Sequence, residues 1–79
     1  MQLDPRLAHI LKNVGELDAD FTVEASHQLQ SDLGIDSLKL IDVVLAVERE
    51  FGSELKEDAL VRARTAGDLW LEIEGAVAA

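Results

Sequence analysis

Leu7, Ile10, Leu11 and Val14 recur at i, i+3, i+4 and i+7, which puts them on one face of an α-helix. Asp4 followed by Pro5 marks its start. An aspartate N-cap accepts a first-turn N–H, and proline at the first helical position has no N–H to leave unpaired. Gly15 is placed to end the helix. From Glu16 to Asp36 no helical period persists, but Leu17, Phe21, Val23, Leu29, Leu33 and Ile35 recur on a polar background. That pattern describes a long loop pinned to a core. Structureless stretches of about 20 residues are uncommon in small domains; they are functional or hold a short turn, here expected near Ala25 to Gln28.

Ser37 to Phe51 reads as a helix of about four turns, with Asp36 as its cap and Gly52 as its stop. Lys56 to Arg62 suits one short helical turn. Thr65 with Asp68 three positions on resembles a capping box, opening a last helix with the apolar series Ala66, Leu69, Trp70, Ile73 and Val77. No segment alternates with the period of a strand between hairpin turn residues. The expected fold is therefore all-α: a small four-helix bundle of three main helices and one short one, with a long loop between the first two.

The Ser37 to Phe51 segment has two apolar lines. Leu40, Val43, Val47 and Phe51, with Val44 and Ala46 at the margins, form a stripe wide enough to face the core. Leu38, Ile41 and Leu45 form a second line away from it, flanked by Asp42 and Glu48. Either the neighbouring loop covers this line or it is a contact strip for a partner with an apolar groove and a basic rim. Lys39 and Arg49 interrupt the acidity and would narrow the choice of partner.

Composition sharpens this picture. The chain has 79 residues, a size that favours one domain spanning 1–79, with a marginal core and no deep pocket for a self-contained enzyme. A binding or carrier role fits better. Seven Lys and Arg against sixteen Asp and Glu give a net charge of −9, which opposes nucleic acid and anionic lipid and favours basic protein partners. With no Cys, thiolate metal sites and thiol catalysis are excluded, so any thiol chemistry must be borrowed. The N-terminus lacks a basic start and a continuous apolar stretch, and the longest purely apolar run is Val43 to Val47. A cytoplasmic, freestanding monomer with no membrane span is expected.

Rival chemistries fit poorly. Ile35-Asp36-Ser37-Leu38-Lys39 is not a Gly-x-Ser-x-Gly elbow, and a small bundle offers no evident oxyanion hole for a hydrolase. Asp32-x-Gly34-x-Asp36 breaks the ligand order of an EF-hand. His9 and His27 have no metal-binding spacing and read as solvated or capping side chains, so no metal is expected. Trp70 reads as a half-buried packing residue of the last helix. An unmodified interaction module, docking a partner helix on Leu38, Ile41 and Leu45, remains a real alternative.

The segment Asp32-Leu33-Gly34-Ile35-Asp36-Ser37-Leu38, followed by a helix ending Glu48-Arg49-Glu50-Phe51-Gly52, resembles the acyl carrier protein family. Helix layout, length, acidity and the Thr65-Ala66-Gly67-Asp68-Leu69 stretch are also similar to it. The resemblance implies that Ser37 is esterified with 4′-phosphopantetheine, taken from coenzyme A by a phosphopantetheinyl transferase, with Asp32, Leu33, Gly34, Asp36 and Leu38 as the surrounding motif. It further implies that the chain carries acyl thioesters without catalysing their reactions. Asp36, Leu38, Ile41, Asp42, Leu45 and Glu48 would meet the partners: acyl-transferring, ligating or condensing enzymes with basic docking patches. An aminoacyl or peptidyl carrier fits the same motif. Fatty-acid-synthesis members often have acidic residues where Lys39 and Arg49 stand, which argues against housekeeping fatty acid synthesis. On physical grounds, Gly34 lets the chain bend into the helix, Asp36 caps it, and the Ser37 hydroxyl is left outward where N–H groups and the helix dipole favour a phosphate.

Overall fold

A computed structural model describes residues 2–78; Met1 and Ala79, the ends of the expected 1–79 domain, lie outside the described residues. Four helices follow in order: α1 (Pro5–Val14), α2 (Ser37–Phe51), α3 (Glu57–Arg62) and α4 (Ala66–Ala78). Asp4 caps α1 through a 2.8 Å bond from the Arg6 N–H, with Pro5 in the first turn. Asp36 caps α2 and Gly52 closes it, its N–H reaching the Glu48 carbonyl. The capping box of α4 is reciprocal: the Asp68 N–H donates to Thr65 Oγ1 at 3.0 Å, and the Thr65 N–H donates to Asp68 Oδ2 at 3.2 Å.

The core is drawn from every long element. Leu7 and Leu11 of α1, Leu33 of the loop, Val43 and Val47 of α2, and Leu69 and Ile73 of α4 are fully buried. Burying one such side chain stabilises by about 1.5–3 kcal/mol, so this cluster holds the helices together. Half-buried Trp70 packs on Phe51 with ring centroids 5.7 Å apart, and the Arg6 guanidinium lies 4.3 Å from the Phe51 ring centroid. Val77 departs from the expected pattern. It ends the apolar series of α4 but is exposed: in the last turn it is Ala76 that still packs against the core.

The loop between α1 and α2 is held by its own apolar residues, as the spacing predicts: Val23, Leu29, Leu33 and Ile35 are buried, and Leu17 and Phe21 are half-buried. Backbone bonds add what the spacing does not show. The Leu29 N–H donates to the Arg64 carbonyl (2.9 Å), and the Ala66 and Gly67 N–H groups donate to the His27 and Ala25 carbonyls (2.9 and 2.8 Å). These bonds stitch the loop to the α3–α4 link, where Gln28 and Thr65 form an isolated antiparallel bridge in an otherwise helical fold. The turn expected near Ala25 to Gln28 is present at Ala25 and Ser26, and turns resume after the bridge. His27 does cap: its Nδ1 accepts from the Glu24 N–H at 2.9 Å, and its ring lies 5.3 Å from that of Phe21.

Gly15 does end α1, but not through a left-handed conformation. Its φ is −75°, and the left-handed residue is Glu16, with φ 54°. Gly15 is needed for closeness instead, since a Cβ there would stand 2.7 Å from the Leu33 carbonyl oxygen. The end of α1 thus abuts the loop just before Gly34.

Candidate functional site

Ser37 opens α2, and three local features fix where it stands. Ile35 is buried, and its N–H donates to the Leu29 carbonyl at 2.8 Å, anchoring the chain from below. Gly34 takes φ 66°, the left-handed turn that carries the chain from buried Leu33 into this anchor. Asp36 accepts the Lys39 N–H on Oδ1 at 2.9 Å while its own carbonyl accepts from Leu40 N–H, also at 2.9 Å. With that cap in place, the Ser37 side chain is exposed at the helix N-terminus. Ser37 and Leu38 contribute first-turn N–H groups without an intrahelical acceptor, and the dipole there favours an attached anion by about 0.3–1 kcal/mol.

The rest of the predicted motif divides by role. Leu33 is a core anchor. Asp32 shapes the loop: its Oδ2 accepts the Gln28 N–H at 2.7 Å. The loop does not cover the second apolar line of α2. Leu38 is 76%, Ile41 57% and Leu45 56% exposed, and Asp36 and Asp42 beside them are exposed as well. Glu48 is half-buried at the edge of this face.

The two cations of α2 separate. Lys39 lies about 100° round the helix from Leu38, half-buried, with Nζ 3.7 Å from Glu16 Oε2. It belongs to the α1 side, which corrects the expectation that it breaks the acidity of the contact strip. Arg49 lies only about 20° from the line of Leu38, exposed, inside the strip.

Sequence reasoning missed one part of the site. Ser37 and Leu40 form a wall of an open-sided cleft of about 300 Å³, whose other walls are Leu29 and Ile35 of the loop, Val61 of α3, and Ala63 and Arg64 of the α3–α4 link. Gln28, Gln30 and Asp36 add polar groups to the lining. The available signal was Arg62-Ala63-Arg64, a basic pair in a strongly acidic chain. Among the described residues there is no cluster of three potential metal ligands, and no helix is long and apolar enough to cross a membrane.

Two carboxyls titrate low. Backbone N–H bonds from Arg64 and Thr65 hold the Asp68 carboxyl below the usual value, and the Arg6 side chain does the same for Asp4. Both stabilise helix starts rather than the Ser37 site.

Comparison with known proteins bears on this geometry. Residues 6–70 match the family model described as a phosphopantetheine attachment site. Over 47 residues the chain is 43% identical to acyl carrier protein AcpXL of Mesorhizobium japonicum, covering 60% of this chain and 50% of that protein. Over 57 residues it is 39% identical to acyl carrier protein 3 of Ralstonia nicotianae, covering 72% of this chain and 66% of that protein. The chain thus spans between half and about two thirds of the length of these relatives.

Proposed function

Since the chain belongs to the acyl carrier protein family, whose domain is the site of covalent 4′-phosphopantetheine attachment, we propose that Ser37 is the attachment residue and that the exposed face of α2 is the docking surface. The observation that carries this reading is an outward serine at the capped start of a helix, beside an apolar strip that no other part of the described chain covers.

The residues present fit the group. The Ser37 hydroxyl is accessible to a modifying enzyme, the first turn of α2 offers N–H groups toward a phosphate, and the adjacent cleft has an apolar floor and one cation. When bound, the group supplies a terminal thiol on which acyl groups are held as thioesters, sulfur chemistry that a chain without cysteine cannot supply itself. The family's members carry; they do not catalyse. The chain's own part is to hold Ser37 at a fixed corner and to offer partners a recognisable face.

That face defines its partners. Leu38, Ile41 and Leu45 suit an apolar groove, and Asp36, Asp42 and Glu48 suit a basic rim. The partners are a phosphopantetheinyl transferase and acyl-transferring, ligating or condensing enzymes of fatty acid, polyketide or related specialised biosynthesis, met in the cytoplasm by a monomeric carrier. Exposed charges make such docking salt-sensitive, and a tethered arm raises the local concentration of cargo once docked.

The test is the rate of modification by a broad phosphopantetheinyl transferase with coenzyme A. Ile41→Asp and Leu45→Asp should keep the fold and lower kcat/KM for transfer, with the added mass mapping to the peptide that contains Ser37. Unchanged kcat/KM in both variants would remove the docking assignment, and mass on another peptide would remove Ser37.

A further inference from the structure

We propose that Arg49 sets partner choice: it admits enzymes with an acidic side chain at the far end of the docking groove and disfavours those whose groove is basic throughout, which rests on the exposed face of α2 being the docking surface. Helical spacing gives the order along that face. Leu38 and Leu45 lie within about 20° of each other round the helix, with Ile41 on one side and Asp42 on the other. Arg49 follows about 6 Å beyond Leu45 along the axis. Of the two cations in α2 it alone stands on this face, because Lys39 is turned toward Glu16. A partner therefore meets apolar, acidic and apolar groups in turn, then a positive charge about 18 Å from the serine that opens the helix.

That charge is available to a partner. A helical cation pairs with acids three or four residues away, and here those positions hold Leu45, Ala46, Gly52 and Ser53. The acids next to it in sequence face elsewhere. Glu48 is half-buried at the edge of the face, and Glu50 lies about 100° further round, where its charge acts on Arg6. The ion pairs among the described residues use Arg6, Lys39 and Arg62 instead. Opposite a carboxylate, the exposed guanidinium can make two parallel charge-assisted hydrogen bonds; opposite Lys or Arg it repels. With Asp36 and Asp42 exposed nearer the serine, the face runs from negative to positive, so a groove with basic groups at one end and an acid at the other fits it in one direction only. A cation in the last turn of α2 also complements the helix dipole. That gain is the same whichever partner docks, so the two roles separate by experiment.

The probe is a broad phosphopantetheinyl transferase with coenzyme A, used unaltered and with the basic residues of its docking groove replaced one at a time by glutamate. Each enzyme is assayed on the natural chain, Arg49→Gln and Arg49→Glu, with circular dichroism showing that all three chains are folded. With the unaltered enzyme, KM should fall from the natural chain through Arg49→Gln to Arg49→Glu, by roughly two- to fivefold in all, at unchanged kcat. One glutamate variant of the enzyme should reverse that order, and about 0.5 M salt should abolish both effects. A KM that ignores residue 49, or an order that is the same for every transferase variant, would overturn the selective role and leave Arg49 as a complement to the helix dipole. Unchanged kcat/KM in Ile41→Asp and Leu45→Asp would instead overturn the docking assignment on which it rests.

Discussion

Replacing Gly15 by alanine tests whether the end of α1 fixes the corner that presents Ser37. Gly15 has φ −75° and ψ −6°, which alanine adopts without strain. The cost is steric. The added Cβ would lie 2.7 Å from the Leu33 carbonyl oxygen and 3.0 Å from that of Leu11, and both are backbone atoms that cannot swing aside. Either the last turn of α1 or the Leu33–Gly34 corner must move by several tenths of an ångström. Overpacking of this kind costs about 1–3 kcal/mol, offset in part by the roughly 0.4–1 kcal/mol that Gly→Ala gains through the unfolded chain. A net loss of about 1–2 kcal/mol lowers Tm by about 4–16 °C in a domain this small. Far-UV circular dichroism and Trp70 fluorescence report the melt. Gly34→Ala makes the contrast: its φ is 66° but its Cβ would meet nothing within 4 Å, so its penalty is conformational alone, about 1–2 kcal/mol before the same offset. Gly15→Ala should also slow modification of Ser37 more than Ile73→Val, a variant of a fully buried residue of another helix that loses about 0.5–1.5 kcal/mol and is not among the nearest neighbours of Gly15. A Gly15→Ala protein that melts with the natural chain and is modified at its rate would refute the idea of a rigid mount.

Other outcomes follow from the same structure. Thr65→Ala removes one half of the α4 capping box and should cost about 0.5–2 kcal/mol in urea titration. Because the Asp68 carboxyl is held below its ordinary value of 3.8, its contribution is present above that value and is lost as pH falls through the lower folded one. Asp68→Asn should flatten the acid side of the Tm–pH curve below about pH 4, and an unchanged slope would contradict the assignment. Leu38→Ala should leave stability within about 0.5 kcal/mol, because the side chain is exposed, yet slow transfer to a docked enzyme. With nine excess negative charges, the chain should melt higher in added salt, and a melt indifferent to salt would show that self-repulsion is unimportant.

Much of the fold was legible because side-chain chemistry writes it locally. Asp4 before Pro5, Asp36 before Ser37, and Thr65 with Asp68 each mark a helix start that the hydrogen bonds bear out. The buried and exposed lines of α2 follow from helical spacing alone, and the structure decides between a covered strip and an open one. Features set by distant backbone were not legible. The bonds from Leu29 to Arg64 and from Ala66 to His27 join main-chain atoms and leave no pattern in the side chains. Hence the cleft that brings Arg64 beside Ser37 could not be read, although both residues were in view. The pairing of Lys39 was not legible because its partner, Glu16, lies at the far end of the loop.

An unmodified docking module and a carrier share the fold and the apolar strip; they differ at one oxygen atom. The direct measurement is the intact mass of the chain before and after incubation with coenzyme A and a phosphopantetheinyl transferase, with Ser37→Ala alongside and circular dichroism confirming that both are folded. A gain of one phosphopantetheine is expected in the natural chain and none in the variant. No gain in the natural chain, or an equal gain in both, would contradict the carrier reading.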